Sequence, residues 1–347
     1  MKFKSILKKY LQSKPIVWSV YWTCKQQVKR IFLLRYFFYD IRQTYAAMHW
    51  SENNFVQNKL SAELLFQYHK IEKGLAMPGP SRLFGVEPAL ASIKLVRRWI
   101  ACGFPRHDTV YLGALETLRS YHNRIGSERL DPQEKILSRL DKLFSDCSER
   151  SPGLSTPVRL DSLVESMKGE KPTEFEKLAV ARRSVRNFKP DLVPMTIIEK
   201  AVKLAQLSPS ACNRQPCRLY LVSDSERRNE LLSYQNGNRG FGHLAPHIAI
   251  LTVDEGCFFD ASERHEPYID GGLFAMSLII ALKDLGVSSC CLNWCVPPKN
   301  DVSVHRSFDI PNAQRIIMLI AIGYDQFETL VPRSPRRLTT NVFQILT

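Results

Sequence analysis

The spacing of apolar residues divides the chain near its middle. Between residues 51 and 144, apolar positions recur every three or four residues in the runs LSAELLFQYHKIEKGL and YLGALETLRSYHNRI, which predicts amphipathic helices. Beyond residue 174, short β-branched runs alternate with helical patterns. They predict strands at 218–223, 247–253 and 315–322 and helices at 196–207 and 272–285. We therefore expect an α-helical region followed by a layered α/β or α+β domain.

The first fifty residues have a pattern of their own. Two mostly apolar runs, Ile16–Cys24 and Ile31–Tyr39, are separated by Lys25, Lys29 and Arg30. Each run is far shorter than the roughly 20 residues that a membrane-spanning helix needs. No small-residue cleavage site follows, as a signal peptide would require. We predict a basic, amphipathic and aromatic-rich helical segment over 1–50, arranged as a pair of helices.

The basic charge of the chain is concentrated in this N-terminal segment. The chain carries 48 Lys and Arg against 34 Asp and Glu, a net charge of +14, and ten of the basic residues but one acid lie within residues 1–50. The remainder is only mildly basic and lacks interleaved aromatic residues, which argues against a nucleic-acid partner. Two alternatives remain for residues 1–48: peripheral contact with an anionic membrane, or packing of the aromatic side chains on the main domain or its dimer mate.

A polar, proline-containing stretch separates the two halves. Residues 147–173 hold the densest mixture of Ser, Pro, Gly and charged residues in the chain, which is typical of a linker. We accordingly expect a helical segment at 1–50, an α-helical region at 51–150, a linker at 151–173 and a second domain at 174–347.

Cysteine usage indicates a reducing compartment. The nine cysteines are odd in number and scattered, so we expect a cytoplasmic protein, peripheral at the inner face of the membrane if residues 1–48 bind there. No pair has zinc-ligand spacing, and we expect no metal site. His69 and Glu72 lie three apart in a predicted helix, and we interpret them as an ion-paired or capped surface pair.

Two segments carry candidate chemistry. Residues 181–188 (ARRSVRNF) place Arg182, Arg183, Ser184 and Arg186 within five positions. Bidentate guanidiniums and a hydroxyl suit a phosphate monoester, although a solvated helix end would have the same composition. About 25 residues later comes the loop SPSACNRQP, in which small residues allow close approach to a flat ring. Its Asn213 and Gln215 offer amide groups that can bind ring edges.

In this order and spacing, the two segments resemble the FMN-dependent nitroreductase family, whose domain begins with an RRSxRxF-like element and continues with PSxxNxQPW. Cys217 stands here in place of the family's Trp. The resemblance runs from about Phe175 to Leu346. It implies an α+β fold with a central mixed sheet flanked by helices, an apolar central helix at a homodimer interface, and a site formed between two protomers.

The resemblance also implies roles for individual residues. Arg182, Ser184 and Arg186, with Arg183 beside them and with help from Arg333 or Arg336, are expected to hold the FMN phosphate. The loop residues would line the flavin, Asn238 would contact its pyrimidine edge, and the segment with Asn293 and Trp294 would lie against N5. The expected cofactor-binding set is Arg182, Arg183, Ser184, Arg186, Pro209, Ser210, Ala211, Asn213, Gln215, Asn238, Asn293, Arg333 and Arg336.

The implied activity is that of an oxidoreductase. Hydride would pass from NADH or NADPH to flavin N5, and electrons would then pass to a small electron-poor acceptor in a ping-pong mechanism, with no side-chain nucleophile. Two alternatives stay open. One is a non-redox or degenerate flavin-binding module, docked to a membrane or partner through its basic N-terminus. The other is a specialised flavin enzyme of polysaccharide or natural-product biosynthesis.

Overall fold

The computed structural model describes residues 13–47, 56–79, 83–127, 134–165, 167 and 171–346. One long helix, α1 (Pro15–Ala47), begins this part of the chain. At 1.5 Å per residue, its 33 residues span roughly 50 Å. The predicted pair of helices is therefore one helix, because Lys25, Lys29 and Arg30 between the apolar runs are good helix formers and not breakers.

Helix α1 contacts the rest of the chain near residues 260–265. Asp40 binds Arg264, whose guanidinium lies 5.1 Å from the Tyr36 ring centroid, and the Lys29 Nζ lies 3.1 Å from an Asp260 carboxylate oxygen. No residue of α1 is buried within the single chain. Most of its aromatic residues are thus left exposed by its own chain, while Trp18 and Tyr36 are partly buried. The choice between a dimer mate and a membrane stays a prediction.

The helical region consists of α2 (Gln57–Leu75), α3 (Val86–Ala101), α4 (Thr109–Ser127) and α5 (Glu134–Asp146). Its apolar stripes meet around Trp99, Tyr111 and Tyr121, which are fully buried. The Trp99 indole N–H donates to the Pro105 carbonyl at 3.1 Å, so this large side chain is buried with its polar atom satisfied. This region therefore has a hydrophobic core of its own.

The second domain is built on a four-stranded sheet. Its strands are β2 (Cys217–Val222), β3 (His247–Asp254), β4 (Ser288–Asn293) and β5 (Gln314–Gly323), in the order β2-β3-β5-β4. These four strands pair antiparallel throughout. The expected mixed character is limited to a parallel bridge between Ser184 and Ser289 at the β4 edge. The domain is an α+β fold, as predicted.

Each face of the sheet is covered by helices. Along β3, Ile248 and Ile250 face one core while Ala249 and Leu251 face the other, which is the two-residue period of a strand buried on both sides. Helix α8 (Met195–Ala205) and the apolar helix α10 (Glu266–Asp284) cover the second face. The domain also contains α7 (Glu174–Ala181), α9 (Ser225–Ser233) and α11 (Pro298–Ser307).

Part of the expected linker is packed against this domain. Strand β1 (Val158–Arg159) pairs with β6 (Leu330–Val331), and the short helix α6 (Ser162–Glu165) follows it. Leu160 and Leu163 are buried in the core of the second domain. The domain boundaries stay predictions, but residues 158–163 are held by this packing instead of being solvated.

In the described ranges, every helix is too short or too polar to cross a bilayer. The same ranges contain no group of three or more His, Cys, Asp or Glu side chains arranged to hold a metal ion.

Gly323 gives a stability test at the end of β5. A Cβ at this position would lie 2.6 Å from Pro246 Cδ and 2.9 Å from Phe188 Cδ1. We expect Gly323→Ala to lower the free energy of unfolding by about 1–3 kcal/mol through overpacking, as measured by urea unfolding. Gly153→Ala is the control, because a Cβ there meets nothing within 4 Å. Equal stability of the two variants would contradict the packing described here.

Candidate functional site

A group of arginines lies at the β4 edge of the sheet. Helix α7 starts with a capping box between Thr173 and Glu176 and ends at Arg182, where the chain becomes extended. It then runs beside β4, with the Val185 N–H donating to the Ser289 carbonyl at 3.1 Å. Val185 is directed into the core, so in an extended chain the alternate residues Ser184 and Arg186 project from the other side.

A second basic segment reaches the same place from the C-terminal end. Arg333 Nε donates to the Ser155 carbonyl at 2.9 Å, and Arg183 Nη1 donates to the Arg333 carbonyl at 3.3 Å. The shared pocket is lined by His69, Arg182, Arg183, Ser184, Arg186, Pro332, Ser334 and Arg336. The structure therefore brings together the two clusters that lie about 150 residues apart in sequence.

The electrostatics of this pocket favour an anion. The Nε atoms of Arg182 and Arg183 are buried and have no hydrogen-bond partner among the described residues. Burial, together with the neighbouring charges of Arg336, Arg182 and Arg333, lowers the pKa of Arg183. Crowded, partly desolvated cations with unsatisfied donors are unfavourable unless an anion neutralises them. A phosphate dianion fits both the charge and the donors.

The helical region adds residues that the sequence analysis did not assign to the site. Lys73 of α2 lies near Arg186, and burial followed by that charge lowers the pKa of Lys73. His69 lines the pocket, with its Nδ1 2.9 Å from a Glu72 carboxylate oxygen. The two side chains are in contact, as expected, but their interpretation as a surface pair is wrong because Glu72 is only 1% exposed. The spacing of His69, Glu72 and Lys73 on one helix was the available signal.

Amide side chains form a network at the other end of β4. Asn238 Nδ2 donates to the Leu232 carbonyl at 2.8 Å and to Gln235 Oε1 at 3.1 Å. Gln235 Nε2 donates in turn to the Asn293 carbonyl at 3.0 Å. Gln235, which is buried, therefore connects the two predicted asparagines, and no sequence pattern had indicated it. Trp294, next to this network, donates from Nε1 to Asp301 at 2.7 Å.

The loop at 208–216 is conformationally strained. Cys212, Asn213 and Gln215 have φ values of +52°, +55° and +49°, a left-handed region that residues other than glycine rarely adopt. The loop is held by its backbone: the Ala211 N–H donates to the buried Asp270 carboxylate at 3.2 Å, and the Gln215 N–H donates to Ser210 Oγ at 3.1 Å. Such strain is concentrated at ligand sites.

This loop borders a cavity at the β2 edge of the sheet. The cavity is lined by Gln206, Ser208, Pro209, Ser210, Gln215, Pro216, Cys217, Arg218, Asp270 and Phe274. It includes three predicted flavin-contact residues from the loop. Asp270 and Phe274 of α10 join them, and neither was predicted from the sequence.

The loop and the arginine pocket lie at opposite corners of one chain. Ser184 is bridged to β4, whereas Cys217 begins β2 at the far edge. Across the sheet, Ser184 lies in line with His247 of β3, through the paired residues of β4 and β5. Cys217 pairs with Val253, which lies six residues after His247 along β3. Four strand spacings of about 4.8 Å and six residues of about 3.3 Å put them roughly 28 Å apart. The predicted arginines and the predicted loop residues thus do not meet within one protomer.

The protein thus has an α+β domain with an arginine-lined pocket, suited to an anion, at one edge of its sheet. Comparison with known proteins gives the family: residues 179–324 match the model described as "Nitroreductase family". The second domain of this chain is a nitroreductase-family domain, and the helical region lies outside the match. The resemblance stated from sequence is thereby confirmed for this half.

Individual relatives are more distant. A protein of Archaeoglobus fulgidus named as an NADH dehydrogenase/NAD(P)H nitroreductase is 25% identical over 159 residues, covering 45% of this chain and 87% of the relative. An iodotyrosine deiodinase of Thermotoga neapolitana is 24% identical over 195 residues, covering 48% and 97%. Among solved structures, a Desulfovibrio desulfuricans protein assigned as a nitroreductase and crystallised with FMN is 16% identical, with a TM-score of 0.45 and coverage of 51% and 99%.

Cys217 gives a test of the loop environment. Burial, and then the neighbouring Asp270 charge, raises the pKa of Cys217 to about 12, so only roughly one thiol in ten thousand is ionised at pH 8. We expect iodoacetamide at pH 8 to modify the exposed Cys295 at least tenfold faster than Cys217, measured by peptide mass spectrometry. Equal rates at the two thiols would contradict the partly buried, neutral state of Cys217.

Proposed function

We propose that this protein is an FMN-dependent NAD(P)H oxidoreductase with a small electron-poor acceptor. The observation that carries the proposal is the pocket of crowded arginines with two buried, unpartnered guanidinium nitrogens. A terminal phosphate supplies the negative countercharge and the hydrogen-bond acceptors that these guanidinium groups lack. The family of the domain and the relative named as an NAD(P)H nitroreductase support a flavin and a nicotinamide reductant.

Arg182, Arg183, Ser184, Arg186 and Arg336 are the residues proposed to hold the phosphate. When bound, FMN supplies the redox chemistry, which is hydride acceptance from NADH or NADPH followed by electron transfer to the acceptor in a ping-pong cycle. The arginines fix the cofactor by charge-assisted bonds. No side-chain nucleophile is proposed, because the redox chemistry belongs to the flavin. Arg333 contributes its charge from the edge of the pocket, since its Nε is committed to the Ser155 carbonyl.

Asn238, Gln235 and Asn293 are proposed to form the polar border of the ring site on the same protomer. The Asn238 amide nitrogen donates within the chain, so its carbonyl oxygen is the atom available to a ring N–H. Gln235 fixes that orientation while it holds the end of β4. Asn238 would therefore act as a hydrogen-bond acceptor toward the flavin edge.

The loop containing Pro209, Ser210, Ala211, Asn213 and Gln215 is proposed to serve the partner's cofactor. Its distance from the arginine pocket of its own chain exceeds the length of an FMN molecule. Exposed Tyr268, Ile269 and Met276 on α10 supply an apolar surface near this loop for a second copy. A homodimer would bring one chain's loop to the other chain's pocket, as the resemblance implies.

The acceptor is proposed by its chemical class. Relatives named as a nitroreductase and as an iodotyrosine deiodinase match similar shares of this chain. The residues described above bind and orient the flavin, and none of them distinguishes these two classes of acceptor. We therefore propose the electron-poor class and leave the substrate to a screen with the purified protein.

Cofactor binding tests the central proposal. We expect the purified protein to release FMN and not FAD, because the pocket is built for one terminal phosphate; chromatography against standards checks this. Each charge-assisted bond contributes about 1.5–3 kcal/mol, so Arg182→Ala is expected to weaken FMN binding by roughly 10- to 100-fold. Fluorescence quenching measures the dissociation constant.

The control for this variant is Arg139→Ala, which removes an exposed arginine of α5 in the helical region. It is expected to bind FMN like the unaltered protein. Release of FAD, or equal FMN affinity of the two variants, would overturn the assignment of the pocket.

Hybrid dimers test the arrangement of the two groups. Arg182→Glu reverses a charge in the arginine pocket, and Ala211→Glu introduces a charge into the loop; each homodimer is expected to lose FMN. A heterodimer, isolated through two different tags, has one site with both changes and one with neither, and should retain about one FMN per two chains. A flavin-free heterodimer would show that both groups serve the same chain's site.

A further inference from the structure

The segment that carries the second basic cluster is strained. Ser334 lies between Arg333 and Arg336 and has a φ of +48°. A residue other than glycine in this region is unfavourable and persists only where its surroundings hold it. The direction of Arg336 depends on this conformation, because Arg336 Nη1 donates to the Ser334 carbonyl at 2.6 Å.

Glu72 of α2 holds Ser334 directly. One carboxylate oxygen accepts the Ser334 N–H at 3.0 Å, and the other lies 2.9 Å from His69 Nδ1. Glu72 is 1% exposed, and its charge is felt by Arg183. A buried carboxylate requires such partners, so Glu72 and the 333–336 segment constrain each other.

Packing holds the same segment from a second helix. A Cβ added to Gly113 of α4 would lie 3.1 Å from Pro335 Cγ and 3.2 Å from the Tyr68 hydroxyl oxygen. Pro335 thus occupies the space that a side chain at position 113 would need. Two helices of the helical region therefore fix the segment, one by a hydrogen bond and one by contact.

We infer that Glu72 is a positioning residue for the phosphate pocket, and that the helical region completes this pocket from outside the nitroreductase-family domain. The inference rests on the proposed function. Glu72 acts through the Ser334 N–H and does not contact the ligand. Its negative charge opposes an incoming phosphate, so its benefit comes from the acceptor oxygen that holds the segment.

This division between geometry and charge sets the test. Glu72→Gln keeps an acceptor oxygen and removes the charge, whereas Glu72→Ala removes both. Full-length protein stripped of flavin is titrated with FMN and with riboflavin, which lacks the phosphate. We expect Glu72→Ala to weaken FMN binding about tenfold, with riboflavin binding unchanged within about twofold. Glu72→Gln is expected to bind FMN within about threefold of the unaltered protein, or more tightly.

Two further variants complete the set. Gly113→Ala displaces Pro335 from the other side and is expected to weaken FMN binding, but not riboflavin binding, by about threefold; it tests the inference even if Glu72→Ala does not fold. Glu63→Ala is the matched control, because Glu63 lies nine residues before Glu72 and hence on the opposite face of α2. It should bind both ligands normally.

The outcomes separate the two levels of the argument. Unaltered FMN binding by Glu72→Ala and Gly113→Ala would overturn the inference while the proposed function stands. Equal weakening by Glu72→Ala and Glu72→Gln, or parallel loss of riboflavin, would also overturn it, since charge or general structure would then be responsible. Failure of the unaltered protein to bind FMN would instead refute the proposed function.

Discussion

The arginines of the pocket repel one another, and the surrounding structure has to hold them in place against this repulsion. Arg182, Arg183 and Arg186 follow one another along the β4 edge, and Arg336 approaches them from the C-terminal end. In partly desolvated surroundings such charges repel strongly, and only a rigid framework keeps them together. The framework is provided by the bridge to β4 and by the backbone carbonyls that accept from Arg183 and Arg333. Holding these charges together lowers the stability of the fold, and such a cost is typical of functional sites.

The helical region contacts this framework in a way that its sequence does not predict. Its core around Trp99 and Tyr111 makes it a unit with its own packing. Its contacts with Ser334 and Pro335, however, involve a strained segment next to the pocket. Divided in this way, the chain has one part that carries the nitroreductase-family fold and another that adjusts the C-terminal border of its pocket.

Elements with strong local patterns could be predicted from the sequence. The mostly apolar run at 247–253 became β3 with one added residue, because a strand buried on both faces is apolar at nearly every position. Helix α10 begins six residues before the predicted start, since its first six residues (EPYIDG) mix polar and apolar positions and include Asp270, which bonds the loop. In α1, the basic residues between the apolar runs were misinterpreted as a break.

The candidate site was only partly accessible to the same reasoning. Residues 182–186 and the loop could be found because each is contiguous in sequence, whereas Arg333 and Arg336 were expected only through the family resemblance. Gln235 and Asp270 could not be found, because their bonds to Asn293 and Ala211 join residues 58 and 59 positions apart. Glu72 had a local signal in its helical spacing to His69, but its bond to Ser334, 262 positions away, had none. No local periodicity encodes such contacts, and burial of a single polar side chain leaves no pattern in composition.

The placement of the loop and the pocket at opposite corners has a thermodynamic consequence for the proposed dimer. If one flavin contacts both chains, cofactor binding and subunit association share one coupling free energy, and each must strengthen the other by the same factor. Dilution would then release flavin as well as separate the chains, and saturating flavin would hold the chains together at concentrations where the bare protein is monomeric. The cellular supply of cofactor would thereby set the oligomeric state of the protein.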